Sequence, residues 1–195
     1  MKVLGPLILS VVIAYPVRPL AGQFGSGAYR PASRAQTALA RRADRDVYPQ
    51  DVRDSLARYS SVLIAWPGIV RRVDSAAVSD SITLVVEHHY FDWKEDHGCQ
   101  RELYFVSPRG EGVFTLKLPR VASRTSTFTG HPAMGALVIA YGSPIAIDTL
   151  EGQPSITLSA AGGNIIEAGL YRTDAFSYGR GFSDFQLLKV PECSR

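Results

Sequence analysis

Three of the four histidines in this 195-residue sequence lie within residues 87–97, together with several carboxylates. Imidazole and carboxylate groups are what acid–base catalysis or a metal ion requires. The preceding residues are β-branched, which predicts a strand whose side chains alternate between two faces. Glu87 and His89 are therefore expected on one face, and His88 and Tyr90 on the other. The adjacent histidines should not share a metal ion.

A site that uses His89, His97 and Asp92 would require the following loop to fold back onto the strand. The interpretation that we favour is structural, with strand-end histidines that form local hydrogen bonds. A hydrolase or metal enzyme that uses the His-rich strand, including His88, is the second alternative.

Motifs of common enzyme classes are missing from the sequence. It contains no G-x-S-x-G elbow for a nucleophilic serine, no P-loop, no H-E-x-x-H and no EF-hand loop. His131 and the scattered serines form no recognisable triad. We therefore expect no enzymatic activity, no catalytic residues, no metal site and no cofactor.

The two cysteines, Cys99 and Cys193, are compatible with one disulfide if the chain is exported to an oxidising compartment. Two free thiols are the alternative. Two distant cysteines and a few histidines are a poor zinc site. The bridge would connect the polar loop after the His-rich strand to the C-terminal tail.

The C-terminal segment mixes aromatic residues with glycine and arginine. Such mixtures suit a glycan or a protein partner, because arginine and aromatic rings stack. A turn whose aromatic residues close one end of a barrel is the alternative. The candidate binding residues are Tyr171, Phe176, Tyr178, Arg180 and Phe182.

Composition and charge exclude several classes of protein. The hydrophobic fraction is 46% and the charged fraction 20%, which is typical of a globular domain rather than a disordered or fibrous chain. Four lysines and seventeen arginines against 18 acidic residues give a net charge of +3. A nucleic-acid-binding domain would show a denser basic stripe, so no nucleic-acid partner is expected.

The N-terminus has the pattern of a secretory signal peptide. Lys2 precedes the apolar run 3–17, and small residues lie near position 22. We expect cleavage there and a mature chain that begins near Gln23. A retained membrane anchor is the alternative, although the run is shorter than the roughly 20 residues that span a bilayer.

The remaining chain divides into a leader and one folded domain. Residues 23–46 are rich in Gly, Ser, Ala and Arg and predict a flexible leader, with a helical turn near 35–42. Residues 47–195 predict a β-barrel or β-sandwich domain. It begins with a short amphipathic helix over 48–59, whose apolar stripe is Val52, Leu56 and Tyr59.

Short apolar segments with turn residues between them follow this helix. Ile82–Tyr90 predicts a central strand, and Pro67-Gly68 predicts a bend or bulge between two others. The segments 102–106 and 113–118 flank a turn-rich loop and predict an antiparallel hairpin.

Seven to eight such antiparallel strands predict an all-β barrel or sandwich, since no alternation with helices is seen. We expect one β core that contains Trp66, Val85, Leu103, Phe114 and Leu137.

Part of this pattern, over residues 48–145, resembles the Slp-type outer-membrane lipoprotein family. The shared features are a helix that ends in a tyrosine, a Trp-x-Gly-x-Val strand, a Thr-x-Leu strand and two later strands that carry glycine. In this sequence they are Tyr59, Trp66–Val70, Ile82–Val86, Gly112–Phe114 and Ala136–Gly142. The resemblance implies a small OB-like barrel in the cell envelope, with no catalytic residues. The lipidated cysteine of that family has no counterpart here.

These observations lead to a functional hypothesis with one close alternative. We expect an exported, non-enzymatic protein of the periplasm or cell envelope that acts as a binding or scaffolding module. Its partner would be another envelope or membrane protein, with peripheral membrane association. The first alternative is an accessory subunit docked on a larger membrane complex, with the leader as an arm that orders on binding.

Overall fold

The structure, a computed structural model, describes residues 31–74, 81–96, 101–119 and 127–173. Three helices come first: α1 (Arg34–Arg42), α2 (Pro49–Asp54) and α3 (Leu56–Tyr59). Nine strands follow in the described residues: β1 (Ile64–Asp74), β2 (Ser81–His88), β3 (Phe91–Asp96), β4 (Arg101–Val106), β5 (Val113–Pro119), β6 (Phe128–Thr129), β7 (Leu137–Leu150), β8 (Gln153–Ile166) and β9 (Tyr171–Arg172).

The strands form a six-stranded sheet and a three-stranded sheet. The large sheet has the order β5-β2-β1-β7-β8-β6, and β5 also pairs with β8, so the pairings of five strands return to their starting point. The small sheet has the order β3-β4-β9. The predicted all-β class is confirmed. The predicted purely antiparallel arrangement is wrong, because β8 pairs in parallel with β5 and β6, and β4 with β9.

The strand Ile82–Tyr90 was expected to be central, and β2 does lie between β1 and β5. The predicted hairpin of 102–106 with 113–118 is wrong. β4 pairs with β3, whereas β5 pairs with β2 and buries its apolar face in the large sheet. Strands β3 and β4 lie between Tyr90 and Ser107 in the sequence, and two hydrogen bonds join these flanking residues. Tyr90 N donates to Ser107 Oγ (2.8 Å), and Ser107 N donates to Tyr90 O (2.9 Å).

The predicted helix over 48–59 is split into α2 and α3. Ser55 has φ −156° and ψ 74°, which no α-helix accommodates. The predicted apolar stripe is confirmed, because Val52 is buried and Leu56 and Tyr59 pack beside it on the core. Pro49 occupies the first turn of α2, where its missing N–H costs nothing.

Helix α1 lies within the predicted leader and is longer than the single turn expected there. The hydroxyl of Ser33 caps it by accepting from Gln36 N (3.2 Å). The Gln36 side chain is buried, and its Nε2 donates to Gly163 O (2.6 Å) and Thr129 Oγ1 (3.0 Å). These bonds attach α1 to the β6–β8 edge of the large sheet.

Two apolar clusters, rather than one, stabilise the described fold. The first contains Trp66 and Phe114 and draws on α2 and all five strands of the closed pairing. The second contains Leu137 and joins β1 and β7 to α1 and the small sheet. Alternation along β7 explains the division, because successive side chains of a strand face opposite sides. The single core predicted around Trp66, Val85, Phe114 and Leu137 is therefore wrong, although all four are buried. The side chain of Leu103 lies outside the described residues.

Candidate binding cleft

The two adjacent histidines diverge as the strand pattern predicted. The His88 ring makes edge contacts with Tyr90 (5.4 Å between centroids) and with Trp66 (6.2 Å). The His89 ring lies on the other face, where its Nε2 is 3.7 Å from Glu87 Oε2. The pair is therefore not arranged to bind one ion together.

His88 belongs to the core. Its side chain is fully buried, and its Nδ1 accepts a hydrogen bond from Glu111 N (3.2 Å). Burial lowers its pKa to about 3, and the nearby His89 and Arg53 act in the same direction. The ring is neutral at physiological pH and fastens the strand end to the loop that leads into β5.

A polar network outside His88 attaches α2 to that loop. Tyr90 donates its hydroxyl hydrogen to Glu111 Oε1 (2.5 Å), and Arg53 Nη2 donates to Glu111 O (2.7 Å). The loop approaches β2 closely, because a Cβ at Gly110 would lie 1.5 Å from His88 O. Glycine is required there for packing, and the network is structural.

One ring nitrogen of His89 forms a hydrogen bond and the other does not, among the described residues. Its Nδ1 is 2.6 Å from Ser107 O, and a carbonyl oxygen only accepts, so Nδ1 carries the hydrogen. Its Nε2 is buried and has no hydrogen-bond partner among the described residues. Burial lowers the pKa of His89, the Ser107 bond opposes this, and Arg71 lowers it further. Nε2 of the neutral ring is thus an unused acceptor.

A bulge in β1 brings arginines to the same face. The pairing with β2 shifts between Val70 and Arg72, which leaves Arg71 as the extra residue. The Arg71 guanidinium contacts the Glu87 carboxylate. Arg72 pairs with Asp74 (3.0 Å) and, across the sheet, with Glu151 (2.6 Å).

Glu151 is positioned by the β7–β8 turn. Leu150 pairs with Gln153, so Glu151 and Gly152 form a two-residue loop, with φ of 53° and 79°. Two positive φ angles are typical of a type I′ turn, which matches the twist of a hairpin. The turn projects Glu151 towards β1.

Strands β1, β2 and β5 and the β7–β8 hairpin border an open cleft of about 340 Å³. Aliphatic side chains and charged or polar groups line it: Arg71, Val85, Glu87, Val113, Leu150, Glu151 and Gln153. Ser155 follows Gln153 by two residues on β8 and pairs in register with Val113. Its hydroxyl is buried and has no hydrogen-bond partner among the described residues.

Of the five residues predicted for a binding surface, Tyr171 is the one that the structure describes, and it is not among the residues that line the cleft. It is half-buried in β9 against the second apolar cluster, and its hydroxyl donates to Gly135 O (2.7 Å). Burial raises its pKa. The remaining residues predicted for a binding surface or a disulfide lie outside the described residues: Phe176, Tyr178, Arg180, Phe182, Cys99 and Cys193.

Among the described residues, the positions proposed for a metal or acid–base site do not form one. His88 and His89 diverge, Asp92 lies in β3 opposite Phe105, and His97 is outside the described residues. Across the described ranges, no group of three or more His, Cys, Asp or Glu side chains is placed to hold a metal ion.

Sequence reasoning missed the cleft, because a β-bulge in β1 and the β7–β8 turn define it, and these lie far apart in the sequence. The dipeptide Glu151-Gly152 was the available signal, since a glycine at this position favours a hairpin turn.

Comparison of the chain with protein-family models, with curated proteins and with solved structures finds no match. Among the described residues, no helix combines the length and the apolar character needed to cross a membrane.

Proposed function

We propose that this chain is an exported, non-enzymatic binding module of the cell envelope, and that the cleft beside the β1 bulge is its binding site. The observation that carries the proposal is the cleft itself. It combines an aliphatic floor, formed by Val85, Val113 and Leu150, with a few polar groups at its walls. Ligand sites in proteins have this mixed lining.

The closed pairing supports an OB-like barrel as the finer description of the fold. In chain order, β2 and β5 are the second and third strands of the ring, and the β7–β8 turn joins its fourth and fifth. OB-folds bind ligands on the face of strands two and three, beside the turn between strands four and five. The cleft lies at the equivalent place.

A binding role accounts for the histidines better than catalysis does. His88 is enclosed in the core, and the Nδ1 of His89 is engaged with Ser107. Ser155 lies two strands away from Glu87 across Val113, or about 10 Å from it. The buried serine hydroxyl, the imidazole and the carboxylate are therefore too far apart to act as a hydrolytic triad.

Site-specific photo-crosslinking in the native envelope tests the proposed site. A photoreactive residue at Gln153, in the cleft, should form an adduct that the same residue at Gln50, on exposed α2, does not form. The variant Arg71→Glu should abolish the Gln153 adduct without unfolding the protein, since this side chain is largely exposed. Equal crosslinking at both positions, or none, would contradict the proposal.

Export is tested separately by sequencing the N-terminus of native material. We expect a chain that begins near Gln23. A full-length species that resists salt and carbonate washing would favour a retained anchor and the docked-subunit alternative.

One observation favours that alternative, an accessory subunit of a larger membrane complex. Met134 and Leu170 have exposed fractions of 71% and 58%, and their turns are neighbours, since a Cβ at Gly135 would lie 3.5 Å from Ala168 Cβ. Exposed aliphatic groups on adjacent turns suit a protein contact. A crosslinker at Met134 that captures a membrane protein, with none captured at Gln153, would support this function instead.

A further inference from the structure

Two buried hydrogen-bond acceptors lie side by side next to the cleft. His89 Nε2 and Glu87 Oε2 are 3.7 Å apart. Glu87 is one of the residues that line the cleft, whereas His89 is not, and its side chain is 5% exposed beside Glu87. Because Ser107 O fixes the hydrogen on Nδ1, Nε2 of the neutral ring can accept but not donate.

We infer that the cleft binds a neutral, hydroxyl-rich small molecule, a sugar or a related polyol, whose adjacent hydroxyl groups donate to His89 and Glu87. This inference rests on the proposed function, in which the cleft is the binding site. Two neighbouring acceptors match two neighbouring donors, and hydroxyl groups on adjacent carbons supply such a pair. The Glu87 side chain is 27% exposed, but its Oε2 and His89 Nε2 are both buried, so the ligand reaches the two acceptors only when the Glu87 side chain moves aside.

Arg71 completes the match to a hydroxyl group. A hydroxyl oxygen also accepts hydrogen bonds, and the Arg71 guanidinium, which contacts Glu87, carries five donors and no acceptor. One ligand hydroxyl can therefore donate to His89 and accept from Arg71. An ammonium group could fill the two acceptors, but it would then lie beside the positive guanidinium.

The charge of the cleft favours a neutral ligand. Arg71 is paired with Glu87 and Arg72 with Glu151, so the two positive charges are already balanced. Asp74, on Arg72, adds a further negative charge. A phosphate or carboxylate ligand would have to compete with these carboxylates.

The remaining lining suits the carbon skeleton of a polyol. Val85, Val113 and Leu150 provide aliphatic surface for C–H groups. Ser155, which is not one of the lining residues, has a buried hydroxyl with no partner among the described residues, about two strand spacings or 10 Å from Glu87. The cleft, at about 340 Å³, is larger than a single diol needs, which favours a sugar over glycerol.

Titration of the isotope-labelled full chain, followed by NMR, tests the inference. The probes are methyl α-D-glucoside, N-acetylglucosamine and myo-inositol, with inorganic phosphate and lysine amide as charged controls. We expect at least one neutral probe to shift the amide signals of Glu87, Val113 and Gln153, and the charged controls to leave them unchanged. The ring nitrogen signals of His89 should show a hydrogen on Nδ1 and a response of Nε2 to the probe.

Variants separate the hydrogen bonds from the fold. His89→Asn keeps an amide donor for Ser107 O and removes the Nε2 acceptor, so the affinity for the sugar should fall about tenfold. If His89→Asn does not fold, Glu87→Gln tests the neighbouring acceptor on a partly exposed side chain and should also weaken binding. Ser159→Ala, at an exposed position of β8, should bind as the wild type does.

Three results would overturn the inference: no neutral probe shifts these amides at high millimolar concentration, a charged control shifts them more strongly, or both acceptor variants bind with unchanged affinity. If sugars fail while the Gln153 crosslink forms, the inference fails and the proposed function stands. If both experiments fail, the cleft is not the binding site.

Discussion

At the residue scale, two adjacent histidines have different surroundings because a strand alternates its side chains. His88 lies among Trp66, Tyr90 and the Glu111 amide in the core, and His89 lies buried beside Glu87, which lines the cleft. Both pKa values are lowered by burial. Burial favours the neutral form of each ring, so the free energy of unfolding depends on pH.

We expect acid to destabilise the protein through His88. Its pKa is about 3 when folded and 6.5 when unfolded, so between these values the unfolded chain binds one more proton. The free energy of unfolding should therefore fall by about 1.4 kcal/mol for each pH unit below about 6.5, and the loss should end near pH 3. His89 acts in the same direction.

Denaturant unfolding at several pH values between about 7 and 4 measures this slope. His88→Gln should unfold with a shallower pH dependence than the wild type, whatever its stability at neutral pH. His131→Gln, at an exposed position, is the control and should keep the wild-type slope. Identical slopes in the wild type and His88→Gln would contradict the assignment.

At the element scale, the existence of elements could be predicted from sequence better than their partners. The continuous apolar run of β2 and the stripe of Val52, Leu56 and Tyr59 are local signals, and both were read correctly. The partner of β4 could not be predicted, because alternating apolar residues suit either β3 or β5. The choice depends on long-range burial in the large sheet.

The candidate site shows the same limit. Alternation predicted that Glu87 and His89 share a face. The contribution of Arg71 depends on a one-residue shift against β2, and that of Glu151 on the β7–β8 turn. Neither feature has a local sequence signal from which the approach of these distant residues could be predicted.

We expect Gln36 to hold helix α1 on the sheet. Gln36→Leu removes the side-chain hydrogen bonds to Gly163 O and Thr129 Oγ1, each of which typically contributes about 0.5–1.5 kcal/mol. Trypsin should then cleave after Arg41 and Arg42 faster than in the wild type, because α1 detaches more often. Gln50→Leu, at an exposed position of α2, should not change the cleavage rate.

At the scale of the whole molecule, stability depends on two apolar clusters separated by the β1–β7 layer. The first is enclosed by the five ring strands and α2, and the second is covered by α1 and the small sheet. Because β7 contributes to both, neither cluster is independent of the other.

We expect Phe114→Ala to destabilise the protein by about 3–5 kcal/mol. Phe114 is fully buried and packs edge-on against Trp66 at 5.4 Å, so truncation leaves a cavity among ring strands. Lys117→Ala, at an exposed position of the same strand, should change stability by less than about 0.5 kcal/mol. Denaturant unfolding measures both, and a loss below about 1 kcal/mol for Phe114→Ala would contradict the described packing.

If the chain is exported as proposed, its two cysteines give a prediction. We expect native protein to contain the Cys99–Cys193 disulfide and no free thiol, as thiol titration without reductant would show. The bridge would close a long loop, and by chain-entropy arithmetic it contributes up to about 4–5 kcal/mol. Reduction should lower the melting temperature of the wild type and leave that of a Cys99→Ser, Cys193→Ser variant unchanged. Two reactive thiols in native material would refute the bridge.

The return of the strand pairings from β8 to β5 also constrains how the chain can fold. β1 needs β7 as a neighbour, and β5 needs β8, so most pairings join segments far apart in the sequence. A nascent chain that ends before β8 cannot close the ring. Folding dominated by such non-local contacts takes milliseconds to seconds rather than microseconds. The chain therefore spends an extended time with its strand edges open, during which a chaperone can engage it.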